Sequence, residues 1–146
     1  MKTLARLLAS SLFVCTVGSG LAVAQHVDKV TAGGFITGTP TAARGNFGLN
    51  VRNPAAPSGH LNYLDHGTTP IHVSSTSITS YTIVNATTRT FTGTCTINGV
   101  GGFTFTCTVV DNGEPGTADT FSLSLSSGYN ASGTLVGGNV QVHPVP

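Results

Sequence analysis

The chain has 146 residues and only 11 charged side chains, 8% of the total, against roughly 25% in an average globular domain. Gly (19) and Thr (23) fill 42 positions while Lys, Arg and Glu together fill 7; this excludes coiled coils, helical bundles and α/β folds and favours strands and turns. The net charge of +1 lacks the clustered Lys and Arg of an electrostatic nucleic-acid footprint.

Residues 1–24 read as a secretory signal peptide. Lys2 and Arg6 form the positive start, Leu7 to Val17 is mostly apolar, and Ala22-Val23-Ala24 offers a small-x-small cleavage site. Gly18 and Gly20 break the apolar run short of the about 20 residues a membrane helix needs, so no transmembrane span is expected after cleavage. Leu12-Phe13-Val14 ahead of Cys15 lacks the small residues of a lipoprotein processing site. Cleavage leaves 122 residues, enough for one domain, with four cations against five acids. The expected organisation is a flexible N-terminal segment over 25–33 and a single all-β domain over 34–146, secreted to the periplasm or the extracellular space.

Turn signals recur every 8 to 12 residues or so, the spacing of an all-β sandwich or barrel. Strands are expected over Gly34 to Gly38, Gly45 to Arg52, Gly59 to Asp65, Ile71 to Ser75 running on towards Asn85, Arg89 to Ile97, Phe103 to Val110, Thr120 to Ser126, Ala131 to Val136 and Asn139 to His143. The fold class is therefore a single antiparallel β-barrel or β-sandwich of about 8–10 strands. Pro54 and Pro57 mark Asn53 to Ser58 as a loop.

Alternation is clearest in the centre. Phe91, Gly93, Cys95 and Ile97 share one face and Thr90, Thr92, Thr94 and Thr96 the other; Phe103, Phe105, Cys107 and Val109 alternate likewise with Thr104, Thr106 and Thr108. Taking Asn98 to Gly102 as the turn and pairing residues whose numbers sum to 202 puts Cys95 opposite Cys107 and all the apolar residues on one face. A Cys95–Cys107 disulfide is thus expected, these being the two cysteines left after export.

Thr31 to Ile36, Asn46 to Val51, Gly59 to His66, Val110 to Gly116, Asp119 to Phe121 and Gly137 to His143 carry a resemblance to the post-COAP domain family, small secreted domains of bacterial proteins. The resemblance spans almost the whole mature chain. It implies a bacterial, exported, all-β module and carries no catalytic residues with it.

Two polar clusters are candidate ligand sites. Asp65, His66 and His72, joined by His143, offer imidazole and carboxylate ligands for zinc or copper; against this, Asp65 and His66 point to opposite faces of a regular strand, and surface or turn-capping roles are the favoured reading of the histidines. Asp111, Glu114 and Asp119 lie in a Gly-rich, oxygen-rich loop that suits calcium, although Gly113 breaks the EF-hand spacing and the same residues build tight turns. A divalent ion is the only cofactor these clusters imply. Catalysis is less favoured: Glu114 and Asp119 are paired carboxylates and Ser58 lies near His60, but no nucleophile elbow, zincin motif or phosphate loop is present.

The expected role is a non-catalytic envelope or extracellular module, with metal binding as the alternative and a secreted hydrolase behind it. A surface of Thr, Ser and Asn suits a protein or carbohydrate partner better than an anionic one. Few Lys and Glu guard the sheet edges, which leaves self-association by strand addition open.

Overall fold

The computed structural model describes residues 26–146; the signal peptide expected over 1–24, with Cys15, lies outside the described residues. Nine strands form in chain order: β1 (Lys29–Ile36), β2 (Gly45–Arg52), β3 (Ser58–Asp65), β4 (Ile71–Ile83), β5 (Thr88–Ile97), β6 (Val100–Val110), β7 (Thr120–Leu125), β8 (Asn130–Thr134) and β9 (Gly137–His143). They make one antiparallel sheet in the order β8-β7-β6-β5-β4-β3-β2-β1-β9, curled into a half-barrel. The all-β expectation is borne out, with 63% of residues in strands and no helix among those described.

Period-two alternation explains the curl. Phe47, Leu49 and Val51 on β2, Leu61 and Tyr63 on β3, and Phe121, Leu123 and Leu125 on β7 all face inward and are buried. Burying each such side chain is worth about 1.5–3 kcal/mol, and a single sheet gains that burial by rolling its two halves together. Phe47 then stacks on Phe121 with ring centroids 4.1 Å apart, and Tyr63 lies 5.8 Å from the same ring. Irregularities between Ser75 and Ser77 and between Ile78 and Ser80 bend the long β4 while keeping Val73, Ile78 and Tyr81 in the core.

Three expectations are corrected. The first strand begins at Lys29, not Gly34, so most of the segment expected to be flexible over 25–33 is paired with β2 on one side and β9 on the other. The central hairpin pairs residues summing to 198, not 202: Phe91 faces Cys107, and Cys95 faces Phe103. The reason is a two-residue turn, with Asn98 at φ 50° and Gly99 at φ 81°, the conformation that Asn-Gly favours, followed by an irregularity between Cys95 and Ile97. A shift of four preserves facing but separates the cysteines by about 13 Å along the strands, beyond the about 7 Å Cα limit for a disulfide. Both thiols are free and buried, which removes the Cys95–Cys107 bridge.

The ends of the sheet are closed by connections. Ser132 of β8 donates its N–H to Gly38 O (2.9 Å), and Val136 donates to Phe35 O (2.9 Å). Gly38 is required there, because a Cβ would sit 1.6 Å from the Ser132 carbonyl oxygen. These contacts use edge donors that strand addition would need.

Candidate functional site

The residues expected to bind zinc or copper do not converge. His66 and His72 flank the β3–β4 turn, but Asp65 is turned inward and buried. Its Oδ1 accepts the Gly67 N–H (2.8 Å) and its Oδ2 accepts the Tyr129 hydroxyl (2.8 Å), which in turn lies 2.7 Å from Tyr63 Oη. Burial first, then the hydrogen bonds with Tyr63 and Asp65, pushes the Tyr129 hydroxyl above its ordinary range, so it stays a donor. His143 pairs with Lys29 at the far end of the sheet, seven residues along β1 from the row that holds Asp65, about 23 Å away. Its Nε2 lies 3.2 Å from Thr31 Oγ1.

The acidic loop has a structural occupation. Asp119 Oδ2 accepts the Val140 N–H (2.7 Å) and its Oδ1 the Asn112 N–H (2.7 Å); Asp111 Oδ2 accepts the Val142 N–H (2.9 Å); Glu114 Oε1 accepts Asn139 Nδ2 (2.9 Å). All three acids thus stand along β9, and the two aspartates cap alternate N–H groups of its outer edge as a neighbouring strand would. Among the described residues no three His, Cys, Asp or Glu side chains are grouped to hold a metal ion.

One polar cluster escaped the sequence patterns. Arg89 and Asp28 are both buried and form a two-pronged ion pair, Nε to Oδ1 and Nη2 to Oδ2, each 2.8 Å. Tyr81 also donates to Asp28 Oδ1, and Arg89 Nη1 donates to the Asn85 and Thr88 carbonyls. Burial pushes the Asp28 carboxyl up, but the hydrogen bonds from Arg89 and Tyr81 and the guanidinium charge outweigh it and hold it below its ordinary value. Its partners lie 53 and 61 residues away in sequence, so no local spacing announces it. Its atoms are consumed by the fold.

The concave feature lies on the outer face. Cross-strand pairing sets Asn139, Gly33, Gly48, Asn62 and Ser74 in one row running across β9, β1, β2, β3 and β4. At Gly48 a Cβ would meet no atom within 4 Å, and at Gly33 only the Phe47 carbonyl oxygen at 3.9 Å, so the two bare positions leave a shallow trough, with Gly48 in its larger depression and Gly33, beside Asn139, in a smaller one next to it. Five strands at about 4.8 Å spacing make it about 19 Å long. The neighbouring row, Phe35, Asn46, Leu64 and His72, walls one side of a cleft of about 530 Å³. Arg44 closes that wall: its guanidinium lies 3.8 Å over the Phe35 ring and its Nε donates to Asn46 Oδ1 (2.7 Å).

No family model, curated protein or solved structure matches the chain. The chemistry of the trough therefore rests on its own residues: carboxamides that both donate and accept, an aromatic and a leucine for apolar contact, and a guanidinium held in place by stacking. These groups suit holding a ligand. The cleft also has the volume of ordinary ligand sites. The signal for it was present in the sequence, since Gly33, Gly48 and Asn62 sit at outward positions of otherwise alternating strands, but only the register aligns them.

Proposed function

We propose that this chain is an exported, non-catalytic β-module of a bacterial envelope or extracellular surface that binds another surface component through the outer trough across β9, β1, β2, β3 and β4. The observation that carries this is the glycine floor: outward positions of a sheet are ordinarily covered by side chains, and here two aligned positions are bare beside an ordered Arg44–Phe35 stack. The resemblance of Gly59 to His66 and Val110 to Gly116 to post-COAP domains supports the bacterial, exported setting. Metal binding by the acidic loop has less support, because Asp111 and Asp119 already accept backbone N–H groups.

The test is retention of the purified protein on immobilised envelope polysaccharides. Gly48→Thr places a β-branched side chain in open space, fills the trough and is expected to abolish retention. Equal retention of wild type and variant overturns the proposal.

A further inference from the structure

Charge is segregated over this fold. Among the described residues the cations are Lys29, Arg44, Arg52 and Arg89, and Arg89 is buried against Asp28. The other three lie on the outer face of β1 and β2 or beside it: Lys29 and Arg52 are cross-strand partners, and Arg44 rests on outward-facing Phe35. The acids lie elsewhere. Asp28, Asp65 and Asp119 are buried, Asp111 caps the outer edge of β9, and Glu114 accepts from Asn139 at the β9 end of the trough, away from Arg44. No carboxylate lines the cleft beside Arg44. The described residues, with five acids against four cations, thus present one positive face.

We propose that the trough binds an acidic polysaccharide segment, with a sugar carboxylate on Arg44 and ring hydroxyls on Asn46 and Asn62. This rests on the trough reading above and adds the ligand class. The Arg44 guanidinium is pre-oriented by the Phe35 ring and by its Nε bond to Asn46, which leaves its Nη edge for a two-pronged carboxylate contact. A sugar hydroxyl both donates and accepts, as a carboxamide does, and the apolar face of a pyranose ring packs on Phe35 and Leu64. Bare backbone at Gly33 and Gly48 lets a ring approach the sheet. Three dispersed cations are too few for a nucleic acid, whose affinity scales with the phosphates neutralised. A peptide adding as a strand would lie along an edge, whereas this trough crosses the strands.

The experiment is affinity electrophoresis with titration calorimetry, using galacturonate oligomers, uncharged dextran oligomers, a single-stranded oligonucleotide and poly-glutamate against wild type, Arg44→Gln and Gly48→Thr, with circular dichroism confirming that each variant is folded. Galacturonate binding that is weakened about tenfold or more by each substitution and falls with salt supports the proposal. Dextran bound as well as galacturonate, lost in Gly48→Thr and kept in Arg44→Gln, overturns the acidic class and leaves the trough reading standing. Preference for the oligonucleotide or for poly-glutamate overturns the carbohydrate class. Binding indifferent to Gly48→Thr, or no binding to any probe, overturns both the ligand class and the trough.

Discussion

The Asp119 carboxylate accepts the backbone N–H of Val140 at 2.7 Å, and neither residue is exposed to solvent. Asp119 also takes the Asn112 N–H on its other oxygen, and its own carbonyl accepts Leu135 N–H at 2.9 Å. One side chain and one peptide thus tie β9, the β6–β7 loop and the end of β8 together. Replacing Asp119 with Ala leaves two N–H groups without acceptors, one of them on fully buried Val140, at about 1–3 kcal/mol each. Urea unfolding is expected to show a loss of about 2–5 kcal/mol. Because these oxygens are already engaged, calcium and EDTA are expected to leave the melting temperature of the wild type unchanged; a calcium-dependent rise would show that the loop exchanges its N–H partners for an ion.

Cys95 and Cys107 are predicted to stay reduced. Burial pushes both thiols up, Cys107 well above the ordinary range, and a protonated, enclosed thiol is a poor nucleophile. A thiol reagent is expected to label neither in the native protein and both after denaturation, and a reductant is expected to leave the unfolding midpoint where it was. A mass two hydrogens lower for an unreduced Cys95–Cys107 peptide pair would contradict the register.

Much of the architecture could be read from alternation, because side-chain period depends only on neighbours in the chain. Gly45 to Arg52 was expected as a strand and is one, and Phe91, Cys95, Phe105 and Cys107 face the core as their parity required. Register was harder. Asn98-Gly99 is a strong two-residue turn signal, yet Gly101 and Gly102 resemble an extension of the same loop; they are instead the start of β6. Shifts by two or four residues keep every facing and move every partner, so the pattern could not betray the error. The acids at positions 111, 114 and 119 have a composition that suits an ion, a turn or a strand cap alike. Only the curl of the sheet, which brings β9 under that loop, decides among them.

Acid sensitivity is predicted to centre on Asp28. Its folded pKa lies below the ordinary 3.8, so its ion pair with Arg89 contributes stability above about pH 4 that is lost as pH falls through the lower, folded value. Arg89→Met removes the guanidinium and leaves a buried carboxylate, a change that costs about 3–5 kcal/mol at neutral pH. In that variant burial, the largest influence on Asp28, is opposed by the Tyr81 hydrogen bond and the His143 charge but no longer by the guanidinium, so the Asp28 pKa rises and the acid sensitivity shrinks. Denaturation curves at pH 7 and at about pH 2.5, below the unfolded value, are expected to show wild type weaker at the lower pH and the variant's deficit smaller there; parallel pH profiles would count against the ion pair as the dominant acid-labile contact.

The Tyr63–Tyr129–Asp65 chain makes the complementary prediction at the opposite end of the sheet. Tyr129 donates to Asp65 Oδ2, which leaves Tyr63 as the donor to Tyr129 Oη across 2.7 Å. Tyr129→Phe keeps the ring that tilts against Tyr63 at 5.9 Å while stripping a buried carboxylate oxygen and a buried hydroxyl of their partner. The expected cost is about 2–4 kcal/mol. Tyr63→Phe removes only the terminal donor, and about 1 kcal/mol is expected. In a double-mutant cycle the two losses should fall short of additivity, since Tyr63 has nothing left to donate to once Tyr129 lacks its oxygen. Additive losses would mean that the two hydroxyls act separately, and that Asp65 is held by the Gly67 N–H alone.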